Sequence, residues 1–422
     1  MRPERLGAGE APAAVAARLR ALVADGAAVK DPVAEIVDAV RQGGDRALLE
    51  LIARHDGAPV GALRVDPHEL DAAGGALAPD VRAGLELAVS NVTAVSRGAL
   101  SEDREVVLAQ GQRVLLREVA VASAGIYVPG GRAPYPSTVV MGVVAARVAG
   151  VARIAVCAPG ADPLVLGACA LCGISEVYRM GGAHAVAALA YGTESVARVD
   201  VIAGPGSLWV QEAKRQVCGD VGIDGFLGPS DLLILAGADA DPDLVALDLL
   251  AQAEHGPGTI VGLISAEVEL LNAVARCLES RAGPSPGAGA ACALVTVTDP
   301  EAGLEVAEAF APEHLELMGA EVERLAPRVR RAGCVLVGRE GATAFADYVA
   351  GSNHSLPTQG AARFASGLSP RHFRRRLAEI HIGDAAGALA RAGAPLARAE
   401  GFGCHAASME ARAQPIGDNQ PL

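Results

Sequence analysis

The stretch RIAVCAPGADPLVLGACALCGISEVYRMGGAHAVAALAYG, residues 153–192, decides the fold class. Its runs RIAVCAPG and EVYRMGG each predict a buried strand that ends in a turn, and VAALAYG predicts a helix. Further strand-like runs follow: VDVIAGPG (199–206), LLILAG (232–237), TIVGLIS (259–265) and ALVTVT (293–298). Helical segments LWVQEAKRQV (208–217) and LVALDLLAQAEH (244–255) lie between them. Strands alternating with helices predict parallel sheets in an α/β protein, and so many units predict two sheets.

The chain outside this stretch supplies further helices and strands. Apolar residues at helical spacing predict amphipathic helices over residues 11–24 and 31–54 and a long helix over 78–98. A strand-rich stretch, VVLAQGQRVLLREVAVASAGIYVPGG, follows at 106–131, and the Gly-Pro-rich patch at 281–291 predicts a loop. The tail from about residue 366 is Arg- and Ala-rich, and we expect it to be helical.

The predicted architecture is therefore two Rossmann-like parallel-sheet α/β domains with small N- and C-terminal helical modules. The predicted boundaries are an N-terminal helical segment at 1–31, a main α/β domain at 32–126 and 230–365, a second α/β domain at 127–229, and a C-terminal helical module at 366–422. We expect the metal and catalytic residues in the main domain and the dinucleotide side in the second.

Composition excludes several classes of partner. The 422 residues are 51% hydrophobic but only 3% aromatic, so Ala, Val and Leu must fill the core. The net charge of −13, without a basic block, argues against nucleic acid and against an anionic membrane. Arg147 and Arg153 interrupt the longest apolar stretch, 138–158, which argues against a membrane span. The N-terminus lacks the apolar region of a signal peptide, and the eight cysteines are scattered, so we expect a cytoplasmic protein with reduced thiols.

Two polar residues end a helical segment in LLAQAEHGPG. Gln252 and His255 are three apart, before a helix stop at Gly256 and Pro257, so we expect both to reach the same cleft. The ordinary alternative is a histidine at a helix end or on the surface. With Asp347 and His405 from two distant segments, they form a candidate metal site of nitrogen and oxygen ligands. Such a set suits Zn²⁺ or Mn²⁺.

A carboxylate and an imidazole stand side by side in APEHLELM. Glu313 and His314 are suited to proton transfer, one to activate water and one to accept an alcohol proton. The alternative is a polar turn before a strand. In GSNHSLPT, His354 follows Asp347 by seven residues, and it joins the candidate site if these side chains converge.

Three Gly-rich turns follow predicted strands and open helices. They are YVPGGRAPYPST (127–138), MGGAHAV (180–186) and IAGPGSLWVQEAK (202–214). This geometry aims backbone N–H groups at an anion such as a pyrophosphate. None matches G-x-G-x-x-G, so ordinary tight turns of a parallel sheet are the alternative.

Together these segments resemble the histidinol dehydrogenase family. The motifs occur in the family's order over nearly the whole chain, with the first thirty residues least distinctive: GIYVPGGRAPYPSTVVM, AALAYGTESV, AGPG, EAKRQV, GPSD, LLAQAEHGP, PEHLE, DYVAGSNHSLPT and AEGF–CHA. The resemblance implies oxidation of L-histidinol to L-histidine with two NAD⁺, through an aldehyde that stays bound. It also implies one Zn²⁺ per site, with Mn²⁺ as an alternative, and an intertwined homodimer with shared active sites.

The resemblance also assigns roles to individual residues. The implied bases are Glu313 and His314. The implied metal ligands, which also contact the substrate, are Gln252, His255, Asp347 and His405. The remaining implied substrate contacts are Ser230, His354 and Glu400, and His314 is a further one. The implied cofactor contacts are Tyr127, His184 and Ser207.

Two of the cofactor positions depart from the family pattern. This chain has His184 where the family usually has Gln, and Ser207 where it usually has Asn. These changes leave weaker NAD binding or a different pose open. Two alternative functions follow: a paralogue that oxidises another small alcohol such as a sulfopropanediol, or a ligand-binding homologue with weakened NAD binding. A thiol mechanism of the aldehyde-dehydrogenase type is disfavoured, because no cysteine has a convincing nucleophile context.

Overall fold

The computed structural model describes residues 3–7, 9–23, 29–56, 62–130, 133–225, 228–281 and 289–413. The chain divides into two compact units. Unit one comprises residues 1–99 and 121–373, and unit two comprises 100–120 and 374–422. Among the described helices, none is long and apolar enough to cross a membrane.

Strands and helices alternate through most of the chain. The first part contains β1 (Glu4–Leu6), α1 (Pro12–Arg20), α2 (Lys30–His55), α3 (Pro67–Ala76) and α4 (Pro79–Gly98). The second part contains β2 (Arg104–Val107), β3 (Arg113–Ala120), β4 (Ser123–Tyr127), α5 (Pro136–Ala149), β5 (Arg153–Cys157), α6 (Pro163–Leu171), β6 (Val177–Tyr178), α7 (Gly182–Tyr191), β7 (Val201–Ala203), α8 (Leu208–Val217) and β8 (Gly222–Ile223). The third part contains β9 (Asp231–Ala236), α9 (Pro242–Ala253), β10 (Ile260–Ser265), α10 (Val268–Ser280), β11 (Ala291–Thr296), α11 (Pro300–Phe310), β12 (His314–Met318), α12 (Ala320–Glu323), β13 (Cys334–Val337) and α13 (Thr343–Tyr348). The last part contains β14 (Arg374–His381), α14 (Ala386–Ala399) and α15 (Gly403–Ala413).

The larger sheet of unit one is parallel and has the order β1-β11-β10-β9-β12-β13. Its inner strands read as continuous apolar runs because both faces are covered by helices, and all six residues of β9 and of β10 are buried. The chain order reverses between β9 and β12, which makes these two strands neighbours. Residues at the starts of β9 and β12 therefore lie side by side.

The smaller sheet of unit one is also parallel and has the order β6-β5-β4-β7-β8. Its chain order reverses between β4 and β7. In open α/β sheets, the crevice outside the carboxyl ends of two such strands is the usual ligand position. Helices α2, α3 and α4 pack against α7, α6 and α5 of this sheet, respectively.

Several helices of unit one begin with the same N-cap sequence, Asp-Pro. Asp66, Asp162, Asp241 and Asp299 each precede a proline, and each accepts a backbone N–H of its helix with the side chain. An Asp N-cap satisfies a free helix donor, and proline suits the first helical position because its missing N–H is not needed there. These caps define where the four helices begin.

Unit two contains a three-stranded antiparallel sheet of order β14-β3-β2 and the helix pair α14 and α15. The strand β14 pairs with β3 over all eight residues. Cross-strand ion pairs join Arg376 to Glu118 and Arg117 to Glu379. Pairing on this scale satisfies the backbone of an otherwise charged segment.

The structure confirms the α/β class with two parallel sheets and the strands predicted in the central stretch. The predicted helices 31–54 and 78–98 are α2 and α4. The expectation of a helical tail is wrong for residues 374–381, which form β14, and the N-terminal segment contains β1 besides α1. Most of the loop predicted at 281–291 lies outside the described residues. The domain boundaries stay a prediction.

Candidate active site

A cavity of about 480 Å³ lies where the carboxyl edge of the smaller sheet meets the amino edge of the larger one. The loops after β4 and β7 contribute Pro129, Gly130 and residues 205–207, and the segment before β9 contributes Pro229 and Ser230. Seven predicted site residues line it: Ser207, Ser230, His255, Glu313, His314, Asp347 and His354. The fold thus brings together residues that are up to about 150 positions apart in the chain.

Glu313 lies immediately before β12, and its carboxylate is buried beside Ser230 and Asp231. Its Oε2 accepts the hydroxyl of Ser230 and the N–H of Asp231, the latter at 3.0 Å. The N–H of Glu313 donates in return to Asp231 Oδ1 at 2.6 Å. Burial, and then the charge of Asp231, raise the pKa of Glu313 well above its usual range. A carboxylate with a raised pKa is a stronger base than an exposed one.

His314 is the first residue of β12, with 1% of its surface exposed. Its Nδ1 lies 3.8 Å from Glu313 Oε2, and its Nε2 lies 3.7 Å from Asp347 Oδ1. Both nitrogens are buried without a hydrogen-bond partner among the described residues. Burial lowers the pKa of His314 to about 4, although the charge of Asp347 opposes this shift. The ring is therefore neutral near pH 7 and able to accept a proton.

His354 has a defined tautomer. Its Nδ1 lies 2.8 Å from the backbone oxygen of Asp347, which can only accept, so Nδ1 carries the proton. Its Nε2 then accepts from Thr138 Oγ1 at 3.2 Å. Burial lowers the pKa of His354, opposed by Asp347. The neutral ring holds α13 against α5.

Gln252 and His255 occupy the last turn of α9 and the turn after it. Gln252 is buried and donates its amide N–H to Ser230 Oγ, which makes the amide oxygen the candidate ligand atom. His255 Nδ1 lies 3.1 Å from the backbone oxygen of Gln252, so Nε2 is the ring atom directed away from the backbone. Asp347 lines the same cavity as His255.

These three residues fit Zn²⁺ or Mn²⁺ in donor type, because they offer an amide oxygen, an imidazole nitrogen and a carboxylate. Within the described ranges, no three His, Cys, Asp or Glu side chains converge as a metal-binding group. Of the predicted ligands, His255 and Asp347 are of those types and belong to unit one, whereas His405 belongs to unit two.

Glu400 and His405 belong to unit two: Glu400 directly follows α14, and His405 lies in the first turn of α15. Both are exposed in the single chain. The ring of His405 packs against Phe402, with centroids 5.2 Å apart, and Phe402 is itself 53% exposed. The end of α14 and the start of α15 therefore expose a carboxylate, an imidazole and a phenyl ring.

The predicted cofactor residues separate into two groups. Ser207 lines the cavity at the start of α8. Tyr127 is buried, and its hydroxyl accepts the N–H of Gly182 at 3.0 Å. His184 is also buried, and its Nε2 lies 3.2 Å from Asp56 Oδ2, which accepts the N–H of Gly181 as well. Tyr127 and His184 thus hold the turn before α7 and are not among the cavity-lining residues.

Two site residues were not predicted from the sequence. Asp231 pairs with Glu313, and burial raises the pKa of Asp231 to about 7. Thr138 orients His354. A carboxylate directly before an apolar strand, as in GPSDLLILAG, was the available signal for Asp231. Thr138 lies in an apolar helix and carried no such signal.

The chain is similar to known proteins of one family. The model of the histidinol dehydrogenase family matches residues 20–413. A histidinol dehydrogenase of Rhizobium meliloti (strain 1021) is 42% identical over 394 residues, covering 90% of this chain and 91% of that protein. That of Gluconobacter oxydans (strain 621H) is 40% identical over 409 residues, covering 93% and 95%. A crystal structure of histidinol dehydrogenase from Elizabethkingia anophelis has a TM-score of 0.90 and 26% identity, covering 97% of this chain and 98% of that one.

Proposed function

Because this chain belongs to the histidinol dehydrogenase family, we propose that it oxidises L-histidinol to L-histidine through a bound aldehyde, with NAD⁺ as the hydride acceptor. The observation that carries the proposal is the cavity in which Glu313 and His314 stand beside His255 and Asp347. Two adjacent bases next to candidate metal ligands suit two successive oxidations. We also propose a cytoplasmic location.

Gln252, His255 and Asp347, with His405 of a second copy, would hold one Zn²⁺ or Mn²⁺ per site. A bound metal supplies a fixed positive charge that orients the amine and imidazole of the substrate, and NAD⁺ accepts the two hydrides. Ser207 is the cofactor contact with the strongest support because it lines the cavity. Tyr127 and His184 would act by shaping the turn before α7. Ser230, His354 and Glu400 are the remaining proposed substrate contacts.

His314 is the base of the first oxidation. As the alcohol O–H bond breaks, its proton passes to a neutral ring nitrogen, and the C–H electron pair leaves as hydride. The lowered pKa of His314 keeps the ring unprotonated and ready to accept. Asp347 Oδ1, 3.7 Å from Nε2, then stabilises the imidazolium that forms.

Glu313 is the base of the second oxidation. It takes a proton from water as the water oxygen bonds to the aldehyde carbon, which gives the hydrate as its monoanion. Ser230 and the N–H of Asp231 fix the carboxylate in place. Loss of a second hydride from this anion then gives the carboxylic acid.

The test is NADH production from purified protein and L-histidinol, with and without prolonged chelation. We expect two NADH per histidinol, loss of activity on chelation, and recovery with Zn²⁺ or Mn²⁺. Full activity in protein shown by elemental analysis to be metal-free would refute the metal site. Oxidation of a sulfopropanediol without oxidation of histidinol would instead identify a paralogue of different specificity.

We further propose a homodimer in which unit two of one copy completes the site of the other. The exposed apolar side chains of unit two support this, since Val107, Ile380 and Phe402 are each more than half exposed in the single chain. Asp347→Ala and His405→Ala proteins, each inactive alone, should be unfolded and refolded together. Random pairing makes about half of the dimers mixed, so about a quarter of the sites should recover. No recovery in a mixture shown by mass spectrometry to contain heterodimers would exclude shared sites.

A further inference from the structure

Glu316 is a buried acid that the proposed reaction does not use. It lies two residues after His314 in β12, on the same face of the strand, with 1% of its surface exposed. Its Oε1 accepts the N–H of Thr343 at 2.9 Å. Its Oε2 is buried without a hydrogen-bond partner among the described residues. Burying a half-satisfied carboxyl group is costly, which indicates that its single contact matters.

That contact anchors a short helix. Thr343 is the first residue of α13, which has only six residues and no side-chain cap from its own N-cap position, Ala342. A helix of this length is unstable alone, so its position depends on tertiary contacts. Glu316 supplies the missing cap from another element, and Asp347 follows Thr343 by one helical turn. The same side chain therefore connects the strand that bears His314 with the helix that bears Asp347.

A third element, the helix α9, contacts α13. The helix α13 packs on α9, which carries Asp248 one turn before Gln252. The charge of Asp248 acts on Glu316, and after burial it is the largest cause that raises the pKa of Glu316 well above its usual range. Burial also raises the pKa of Asp248 to about 6. Burial and the charge of Asp248 thus favour the neutral form of Glu316, which an amide resembles.

We propose that Glu316 is a positioning residue: by holding the N–H of Thr343 it fixes α13, and with it the ligand Asp347, relative to His314. The inference rests on the metal site of the proposed function. It assigns to Glu316 a role in metal affinity although its carboxyl group does not line the cavity.

The first test measures the affinity of the full-length protein for Zn²⁺ alone, in competition with a chelating indicator. Glu316→Leu removes the acceptor and should weaken Zn²⁺ binding by about 10- to 100-fold, the range typical for partners that orient metal ligands. Glu316→Gln keeps an acceptor oxygen and should stay within about threefold of the wild type by the same reasoning. Wild-type affinity in folded Glu316→Leu, or equal losses in both variants, would overturn the proposal.

The second test removes the donor instead of the acceptor. Thr343→Pro deletes the N–H at the first helical position, where proline fits, and Ala342 has the extended ψ of 141° that a following proline requires. Thr343→Ala is the matched control, because it keeps the N–H and loses only the side chain. We expect the Pro variant to weaken Zn²⁺ binding as Glu316→Leu does, and the Ala variant to change it little. Wild-type affinity in the Pro variant would contradict the proposal.

A metal-free readout separates this proposal from the proposed function. Amide hydrogen exchange of peptides from 343–350, measured without metal, should be faster in Glu316→Leu and Thr343→Pro than in wild type. Ser265→Ala is the control for lost stability, since Ser265 is a buried hydroxyl of the same sheet that bonds Ala236 O at 2.7 Å. It should lower the Tm and leave both readouts unchanged. If Asp347→Ala binds Zn²⁺ as wild type does, the metal site fails, whereas unchanged exchange at 343–350 refutes the positioning role.

Discussion

The two sheet edges that form the cavity differ in whether their buried polar groups have hydrogen-bond or charge partners. At the amino edge of the larger sheet, His314 has both ring nitrogens buried without a hydrogen-bond partner among the described residues, and burial raises the pKa of Glu313. At the carboxyl edge of the smaller sheet, Lys214 is fully buried, yet its Nζ pairs with Asp224 and donates to Gly204 O at 2.7 Å. Asp224 Oδ2 in turn accepts the N–H of Gly204 at 2.7 Å.

This difference suggests separate roles for the two edges: we call the amino edge of the larger sheet the reactive edge and the carboxyl edge of the smaller sheet the positioning edge. An unpartnered buried base gains most when a substrate or proton arrives, so the amino edge is arranged to react. Paired charges that clamp a backbone resist change, so the carboxyl edge is arranged to hold its loops. Gly204 shows the constraint: it has a φ of +129°, and a Cβ there would collide with the carbonyl oxygen of Tyr127. The clamp fixes the loop that carries Ser207 into the cavity.

The largest expected effect tests the reactive edge. Glu313→Gln should lower aldehyde oxidation by about 10²- to 10⁴-fold and alcohol oxidation less, because only the aldehyde step needs an activated water. His314→Asn should have the reverse preference. The measurement is kcat for L-histidinol and for L-histidinal with each variant. Equal losses for both substrates in both variants would abolish the division of labour.

The next effect tests the positioning edge. Lys214→Met leaves the Asp224 carboxylate buried without its charge partner and should cost about 3–5 kcal/mol in the free energy of unfolding. Adding Asp224→Asn should restore much of that loss, because the amide keeps an acceptor for Gly204 without a charge. Denaturant unfolding of the two variants measures both values. A single variant as stable as wild type would mean that this edge is not held by the pair.

The sequence predicted most of the strands and cavity residues in this comparison, but it did not predict how they are arranged in space. Apolar runs and Gly-rich turns predicted the strands, and the motifs predicted the residues of the cavity. No pattern shows that β9 and β12 are neighbours, because that depends on the order of strands in the sheet. The segment RRRLAEIH lacks the alternation of a strand, so only its pairing with β3 reveals β14. The orientation of side chains could not be predicted either: the sequence predicted His184 as a cofactor contact, yet its ring lies against Asp56.

A smaller effect concerns the pH dependence of stability at the reactive edge. Burial raises the pKa of Asp231 to about 7, above its ordinary value of about 3.9 in an unfolded chain. A raised pKa stabilises the fold fully below the unfolded value, and this stabilisation is lost as pH rises through about 7. Asp231→Asn keeps an acceptor for the N–H of Glu313 and should therefore show a smaller fall in Tm between pH 5 and pH 8. Identical falls in variant and wild type would contradict the assignment.

The smallest expected effect concerns the two departures from the family pattern. Ser207 lines the cavity, whereas His184 is buried against Asp56, so the two positions should differ in their influence on the cofactor. Ser207→Asn should change the KM for NAD⁺ by at most about tenfold, because one hydrogen bond contributes about 1 kcal/mol. His184→Gln should change that KM less, and neither variant should move the KM for histidinol. The double variant should follow the Ser207→Asn value. A larger change from His184→Gln than from Ser207→Asn would contradict this order. It would mean that the turn before α7, held by Tyr127 and Asp56, governs cofactor binding and belongs to the positioning edge.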